Sequence, residues 1–311
     1  MIMKSMFFVL LLFIALPANS LFVQAQELET AADTPLNDIE TEGLHVVLVP
    51  EKSVFEQRRQ YRYLTEYLSE KLGMPVLVDI MSNYGQICDA FLEGHADAGF
   101  FGSFSYVLTH AKTEIEPIVR PVWLDGNSTY RSYIFTRKDS GIQGVEDMKG
   151  KNLVLVDKAT TAGYIFQLFY FKYMVGIDRL EDYFSNIYFA GSHDAAAWAV
   201  YTKEAEVGGC KDQIYNALGD EYPDFKRQMI TIVESPPVPS NGLAVRENLN
   251  PALKLRLKGL LLNLHKTEEG QNILQKFGAR QFIETSAKDY DTLYQMVERL
   301  NIDLANYPYK D

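Results

Sequence analysis

The sequence predicts an α/β protein of two lobes, with mixed sheets flanked by helices and a ligand cleft between the lobes. Three observations predict it. Apolar β-like runs alternate with helical periodicity from Leu44 to Phe101, and a second alternating set begins near Tyr133. The proline-rich stretch Glu234-Ser235-Pro236-Pro237-Val238-Pro239-Ser240-Asn241 then breaks the pattern and reads as a crossover, after which one more strand and three helices finish the chain.

Taken in order, Leu44–Val49 is a first strand, and Phe55–Leu72 carries Tyr61, Leu64, Tyr67, Leu68 and Leu72 at the spacing of an amphipathic helix. Gly73 closes that helix and Pro75 follows, as helix ends prefer. Met74–Ile80 reads as a strand, Tyr84–Glu93 as a helix ending at Gly94, and Ala96–Phe101 as a strand. The second set predicts strands at 133–137, 152–156, 186–190 and 205–208, with helices at 163–175 and 194–202. A strand at 242–246 and helices near 251–264, 267–276 and 289–299 complete the expectation. The division that follows is a signal segment 1–25, a flexible acidic leader 26–42, lobe 1 from 43–132 plus 239–311, and lobe 2 from 133–238.

Residues 1–25 read as a secretory signal. Lys4 is the only charge before Glu27, Met6–Leu16 is unbroken and apolar, and Val23-Gln24-Ala25 offers a small-residue cleavage site. The apolar run is short for a membrane span, and Pro17, Asn19 and Ser20 interrupt it; an uncleaved anchor is the alternative. No cysteine lies near the cleavage region, which excludes a lipid-modified N-terminal Cys. The formal net charge of −11 supplies no basic stripe to neutralise phosphates, so nucleic acid is excluded as a partner. A small anion is compatible with that charge, because salt screens the net field over about 10 Å and local donors dominate at contact. Cys88 and Cys210 fall in different lobes, where a bridge would lock a hinge, and are read as unpaired.

The most informative stretch is Asp157-Lys158-Ala159-Thr160-Thr161-Ala162-Gly163-Tyr164, a strand turning through small hydroxyl residues into a helix. Free amides, the positive end of the helix dipole and two hydroxyls make an anion site there; an ordinary Thr cap is the alternative. Phe101-Gly102-Ser103-Phe104 is a second such turn, where Ser103 caps a helix or donates to an anion. Gly191-Ser192-His193-Asp194 is a third. His193 suits a phosphoryl-type oxygen or else simply opens a helix, and His45, His95, His110 and His265 show no metal-ligand spacing with it. Tyr84 and Tyr130 stand at loop positions among 19 tyrosines, so each is a packing residue or a ligand donor. Arg131 is an anion clamp or a solvated surface residue. All these turns fall at carboxyl ends of strands, where open α/β sheets bind ligands. No cofactor or metal is called for, and neither a Gly-x-Ser-x-Gly elbow nor a Cys-His pair suggests an enzyme.

In this order and spacing, the motifs resemble those of the periplasmic phosphate/phosphonate-binding proteins of ABC importers, type II solute-binding proteins with two lobes and a hinge. The resemblance runs from about Leu44 to Leu300. It includes the Tyr84 helix, Ala96-Asp97-Ala98-Gly99-Phe100-Phe101-Gly102, Tyr130-Arg131-Ser132-Tyr133, Asp139-Ser140-Gly141-Ile142 and Glu146-Asp147-Met148-Lys149-Gly150-Lys151. Thr160-Thr161-Ala162-Gly163, Gly191-Ser192-His193-Asp194 and Ser235-Pro236-Pro237-Val238-Pro239 complete it. It implies a periplasmic, monomeric protein that binds a phosphonate, phosphite or phosphate and delivers it to a membrane permease. It also implies that Tyr84, Tyr130, Thr160, Thr161, the Ala162 amide and His193 hold the phosphorus oxyanion; Ser103, from its own turn, and Asn241 are counted with them as candidate ligand-binding residues. Ala162 stands where the family often has Ser, so one hydroxyl is lost. Gln213, with Asp212 adjacent, and Asn241 stand where aminophosphonate binders of the family place carboxylates, which argues for a ligand without an ammonium group. Two other readings remain open: a sensory subunit for a receptor kinase, and a periplasmic phosphoesterase.

Overall fold

Two sheets divide the strands of this computed structural model, which describes residues 43–309. The expected signal segment 1–25 and leader 26–42 lie outside the described residues. The chain opens with β1 (Leu44–Leu48), α1 (Val54–Leu72), β2 (Val76–Ile80), α2 (Gln86–Leu92), β3 (Ala98–Phe101) and α3 (Ser103–His110). Next come β4 (Ile115–Trp123), β5 (Thr129–Tyr130), β6 (Ser132–Arg137) and β7 (Asn152–Leu155). A helix follows, α4 (Phe166–Tyr170), flanked by π turns at Thr161–Ile165 and Phe171–Val175. After it run β8 (Asn186–Phe189), α5 (His193–Tyr201), β9 (Val207–Lys211), α6 (Asp212–Glu221), α7 (Pro223–Gln228) and β10 (Met229–Glu234). The last elements are β11 (Val238–Pro239), β12 (Gly242–Arg246), α8 (Pro251–Asn263), α9 (Glu268–Phe277), β13 (Ala279–Glu284) and α10 (Asp291–Arg299).

The six-stranded sheet has the order β13-β4-β12-β3-β1-β2, and the five-stranded sheet β10-β6-β9-β7-β8. In the first, β1 pairs parallel with β2 and β3 while β12 runs antiparallel to β3; in the second, β7 pairs parallel with β8 and β9 while β6 runs antiparallel to β9. Both sheets are therefore mixed. The chain leaves the first sheet after β4 and returns to it at β12. The two crossings are tied by a short antiparallel ladder, Tyr130 opposite Val238 and Thr129 opposite Pro239. Proline is tolerated in that two-residue ladder because it is an edge with few amides to pair.

The amphipathic helix forms because its apolar residues recur at helical spacing: α1 buries Gln57, Tyr61, Leu64, Leu68 and Leu72 on one face. Each leucine so buried contributes roughly 1.5–3 kcal/mol. Tyr61 meets the edges of the Phe100 and Phe277 rings at 5.2 and 5.1 Å, which fixes α1 against the six-stranded sheet. Gly73 ends the helix at φ 72°, a left-handed turn that a side chain would strain.

Several boundaries differ from the sequence reading. The second helix begins at Gln86, leaving Tyr84 in the turn before it. The expected 163–175 helix begins two residues earlier and is π-wound at both ends. The expected strand 205–208 runs over Val207–Lys211. Its Gly208-Gly209 pair has low strand propensity, but a carbon added at either would stand 2.5 Å from Phe135 or 2.4 Å from Gln167, so packing demands glycine there. Strands β4, β10 and β13 and helices α6 and α7 had no counterpart in the reading. Pro117 and Pro121 mask β4, which pairs antiparallel with β12 and β13 through irregular registers.

Candidate functional site

The carboxyl ends of parallel strands from both sheets meet, because each strand leads into a turn that crosses toward the other sheet. From the six-stranded sheet come Glu51, Tyr84 and the start of α3. From the five-stranded sheet come the Asp157–Thr161 turn, His193 and Lys211.

The threonine turn is held by its own hydrogen bonds. Asp157 accepts the Ala159 amide at 2.7 Å and, from across the cleft, the Tyr84 amide at 3.2 Å. Thr160 donates its hydroxyl to the Asp157 carbonyl at 2.6 Å. Thr161 Oγ1 accepts the Phe104 amide of α3 at 2.9 Å, leaving the hydroxyl proton to donate elsewhere. A π turn pairs each amide with the carbonyl five residues back, and here the pairing starts with Ile165 N–H to Thr160 O at 3.1 Å. The amides of Thr161, Ala162, Gly163 and Tyr164 precede that ladder, the place where a helix start leaves donors without an intrahelical partner. Gly163 is required by close approach, since a carbon added to it would stand 2.3 Å from Val156.

His193 opens α5 behind the cap Ser192, with Gly191 at φ 80° turning the chain into it. Its Nδ1 accepts the Lys211 amide at 3.2 Å, which assigns the proton to Nε2 and makes that atom a donor. Burial above all, and then the Lys211 charge, push the imidazole pKa down to about 3 against the opposing pull of Glu51. The ring is therefore neutral at neutral pH. Tyr84 stands edge-on to it, centroids 5.9 Å apart. The Tyr84 hydroxyl is buried and has no hydrogen-bond partner among the described residues. Burial, then the nearby negative charges of Glu51 and Asp157, hold that phenol well above its ordinary pKa, so it keeps its proton and can donate it.

A residue the sequence reading passed over lies at the centre. Lys211 is 3% exposed, pairs with Glu51, donates to Asn241 Oδ1 at 2.9 Å, and lies 4.4 Å above the Tyr130 ring. Burial works to raise the Glu51 pKa, but the Lys211 charge and hydrogen bond, aided by His193 and Lys52, hold it below the usual carboxylate range. The available signal was a lysine ending an apolar Gly-Gly-Cys strand in an acidic chain, and a glutamate directly after the first strand.

The other expected residues are distributed as follows. Tyr130 and Ala162 pack together with Val238. The Ala162 carbonyl accepts from Ser132 Oγ at 2.8 Å and Gln167 Nε2 at 2.9 Å. The Ser103 hydroxyl donates to the Pro239 carbonyl at 2.7 Å, so it is committed to the crossover. Gln213 reaches the Thr129 carbonyl at 3.4 Å, and Asp212 accepts the Gln213 amide at 2.8 Å at the start of its own helix. Burial, against the Arg131 and Gln213 backbone contacts and the Lys211 charge, holds the Asp212 pKa above the usual value. Arg131 donates to the Ser235 carbonyl at 2.7 Å and pairs with Glu234 at 3.1 Å, which places it on the crossover. Cys88 and Cys210 are both buried and free.

A groove of 1130 Å³ runs beside this cluster. Glu51, Lys211, Trp123, Asn127 and Gln213 line it, whereas Tyr84, Thr160, Thr161 and His193 do not. The expected oxyanion donors therefore belong to the closed cluster rather than to this groove, and Glu51 and Lys211 border both.

Two mixed sheets flanked by helices, with strand ends meeting across a cleft, define a type II periplasmic binding protein fold. Residues 46–290 match the family model for the periplasmic phosphonate substrate-binding protein of ABC transporters, and the chain belongs to that family of binding proteins, which are not enzymes. It is 22% identical over 273 residues to the phosphonates-binding periplasmic protein of Escherichia coli K12, covering 86% of this chain and 80% of that one. It is 24% identical over 225 residues to the phosphate-import protein PhnD of Mycolicibacterium smegmatis, 70% of each chain. Among solved structures, the binding component of a Pseudomonas aeruginosa ABC phosphonate transporter superposes with a TM-score of 0.77 at 20% identity, covering 86% of this chain and 90% of that one. PhnD1 of Prochlorococcus marinus in complex with methylphosphonate gives a TM-score of 0.75 at 20% identity, covering 84% and 99%.

Proposed function

We propose that this protein is the solute-binding component of an ABC importer, closing two lobes over a phosphonate, phosphite or phosphate and presenting it to a membrane permease. Lobe 1 comprises 43–132 and 239–311, lobe 2 comprises 133–238, and the Tyr130–Val238 ladder is the hinge. The ligand's oxyanion takes hydrogen bonds from the Tyr84 hydroxyl, His193 Nε2–H, the Thr161 hydroxyl and the amides around Ala162, while Thr160, whose hydroxyl is given to the Asp157 carbonyl, shapes the turn that presents them. Tyr130, Ser103 and Asn241 complete the walls.

The observation that carries this reading is the Tyr84 hydroxyl, a protonated donor buried beside a neutral imidazole and lacking any acceptor among the described residues. An unsatisfied buried hydroxyl costs about 1–3 kcal/mol, a cost that a ligand oxygen removes. Neutral donors suit an oxyanion because they replace its hydration without needing to change protonation. Methylphosphonate bound by the Prochlorococcus relative supports the ligand class.

A thermal-shift screen with phosphate, phosphite, methylphosphonate, sulfate and methanesulfonate tests it. A phosphorus ligand at about 100 times its Kd should stabilise the protein by roughly 2.7 kcal/mol. Stabilisation by the sulfur ligands alone, or by none of the five, would overturn the assignment.

A further inference from the structure

We infer that Lys211 is the specificity-determining residue of this cleft, selecting phosphonates whose substituent carries a carboxylate over those whose substituent carries an ammonium. The inference rests on the binding role proposed above. Lys211 is coupled to the oxyanion donors through its backbone, because its amide fixes His193 Nδ1. Its side chain reaches back across the cleft to Glu51 and Asn241, over the Tyr130 face. A substituent projecting from the closed cluster toward the groove must pass this ammonium, since Glu51 and Lys211 belong to the groove lining and the oxyanion donors do not.

The pair is asymmetric. The Lys211 side chain is 3% exposed and that of Glu51 is 16% exposed. A ligand carboxylate can therefore replace Glu51 on Lys211 while Glu51 turns into the water of the groove, leaving no buried charge unpaired. A ligand ammonium has no such exchange. Beside Lys211 it would have to share Glu51, placing two cations on one carboxylate, because the neighbouring groove carboxylate, Asp212, is engaged by the Gln213 amide at the start of its own helix. Asn241 presents its oxygen to Lys211 and is already engaged.

Calorimetric titration of the parent protein, Lys211→Met and Lys211→Glu with methylphosphonate, phosphonoacetate and 2-aminoethylphosphonate tests the inference. The reading is the ratio of Kd for 2-aminoethylphosphonate to Kd for phosphonoacetate. It should be at least tenfold in the parent, about 1.4 kcal/mol. It should fall below threefold in Lys211→Met and invert in Lys211→Glu, which sets a second carboxylate beside Glu51. A purely structural role would weaken all three ligands alike and leave the ratio where it was, and that result overturns the inference. A parent ratio below threefold overturns it as well, without any variant. Should Lys211→Met fail to fold with Glu51 stranded, Glu51→Gln/Lys211→Met removes both charges and must show the same collapse of the ratio. A parent that binds methylphosphonate but ranks the other two equally defeats this inference alone. A parent that binds none of the three, nor phosphate or phosphite, defeats the binding role and this inference with it.

Discussion

Mild acid should destabilise the ligand-free protein through a single ring. His193 is 3% exposed and held neutral, its pKa pushed down to about 3 by burial and then by the Lys211 charge. In the unfolded chain an imidazole takes its proton near pH 6.5. Between those two values the unfolded state binds one more proton than the folded state, so stability is full above about pH 6.5 and falls as the pH drops. Each pH unit inside the window costs up to about 1.4 kcal/mol, which gives about 2 kcal/mol between pH 7 and pH 5. Against a typical total of 5–15 kcal/mol that is a large share for one residue. Glu51 adds a loss of the same sign, but at lower pH, because its pKa is depressed below the carboxylate range. The assay is urea unfolding at pH 7, 6 and 5 for the parent and His193→Gln. The glutamine amide can accept the Lys211 N–H and donate in place of Nε2, yet it does not titrate. The variant should lose less than about 0.5 kcal/mol over the range in which the parent loses about 2. Parallel slopes for the two proteins would refute the reasoning, since the acid sensitivity would then belong to other groups.

Three further outcomes follow from the same geometry. Thr161→Ala removes a hydroxyl proposed to donate to a charged ligand, and should weaken methylphosphonate by about 1.5–3 kcal/mol, roughly 10- to 150-fold, whereas Thr161→Ser retains most of the affinity; calorimetry giving equal affinity for parent and alanine variant would discard Thr161 as a ligand donor. Tyr84→Phe deletes a buried hydroxyl without a partner among the described residues, so chemical denaturation should find stability unchanged or raised by about 1 kcal/mol while ligand affinity drops about tenfold; a stability loss with unchanged affinity contradicts this. Gly85→Ala puts a carbon 2.3 Å from the Tyr309 ring, so it should cost about 1–3 kcal/mol and free the bond of Tyr309 to Asp89, with most of the loss recovered in Gly85→Ala/Tyr309→Ala. Additive losses in the double variant would rule out that contact as the cause.

The local elements were written in the sequence because they depend on near neighbours. The spacing of Tyr61, Leu64, Leu68 and Leu72 predicts α1, and the Gly73-x-Pro75 ending predicts where it stops. The turns at Ser103, Thr160-Thr161 and His193 were legible as strand-to-helix junctions because small polar residues followed apolar runs. Strands β4 and β13 were not, because their stability comes from antiparallel partners more than a hundred residues away, and Pro117 and Pro121 disguise the local pattern. The glycines of β9 were equally misleading, since their use is to admit Phe135 and Gln167.

The same division runs through the candidate site. Sequence alone named Tyr84, Thr160, Thr161 and His193 and predicted that they sit at strand ends. It could not say that Thr161 accepts from Phe104, that Asp157 reaches the Tyr84 amide, or that Ser103 is spent on Pro239. Nor could it find Lys211 and Glu51, which lie 160 positions apart and become partners only when two sheets meet. Chain chemistry determined which donors exist, because a hydroxyl, an amide or an imidazole is a property of one residue. Tertiary structure decided which donors are still unspent and which charge they face, because burial and pairing are properties of what the fold brings alongside.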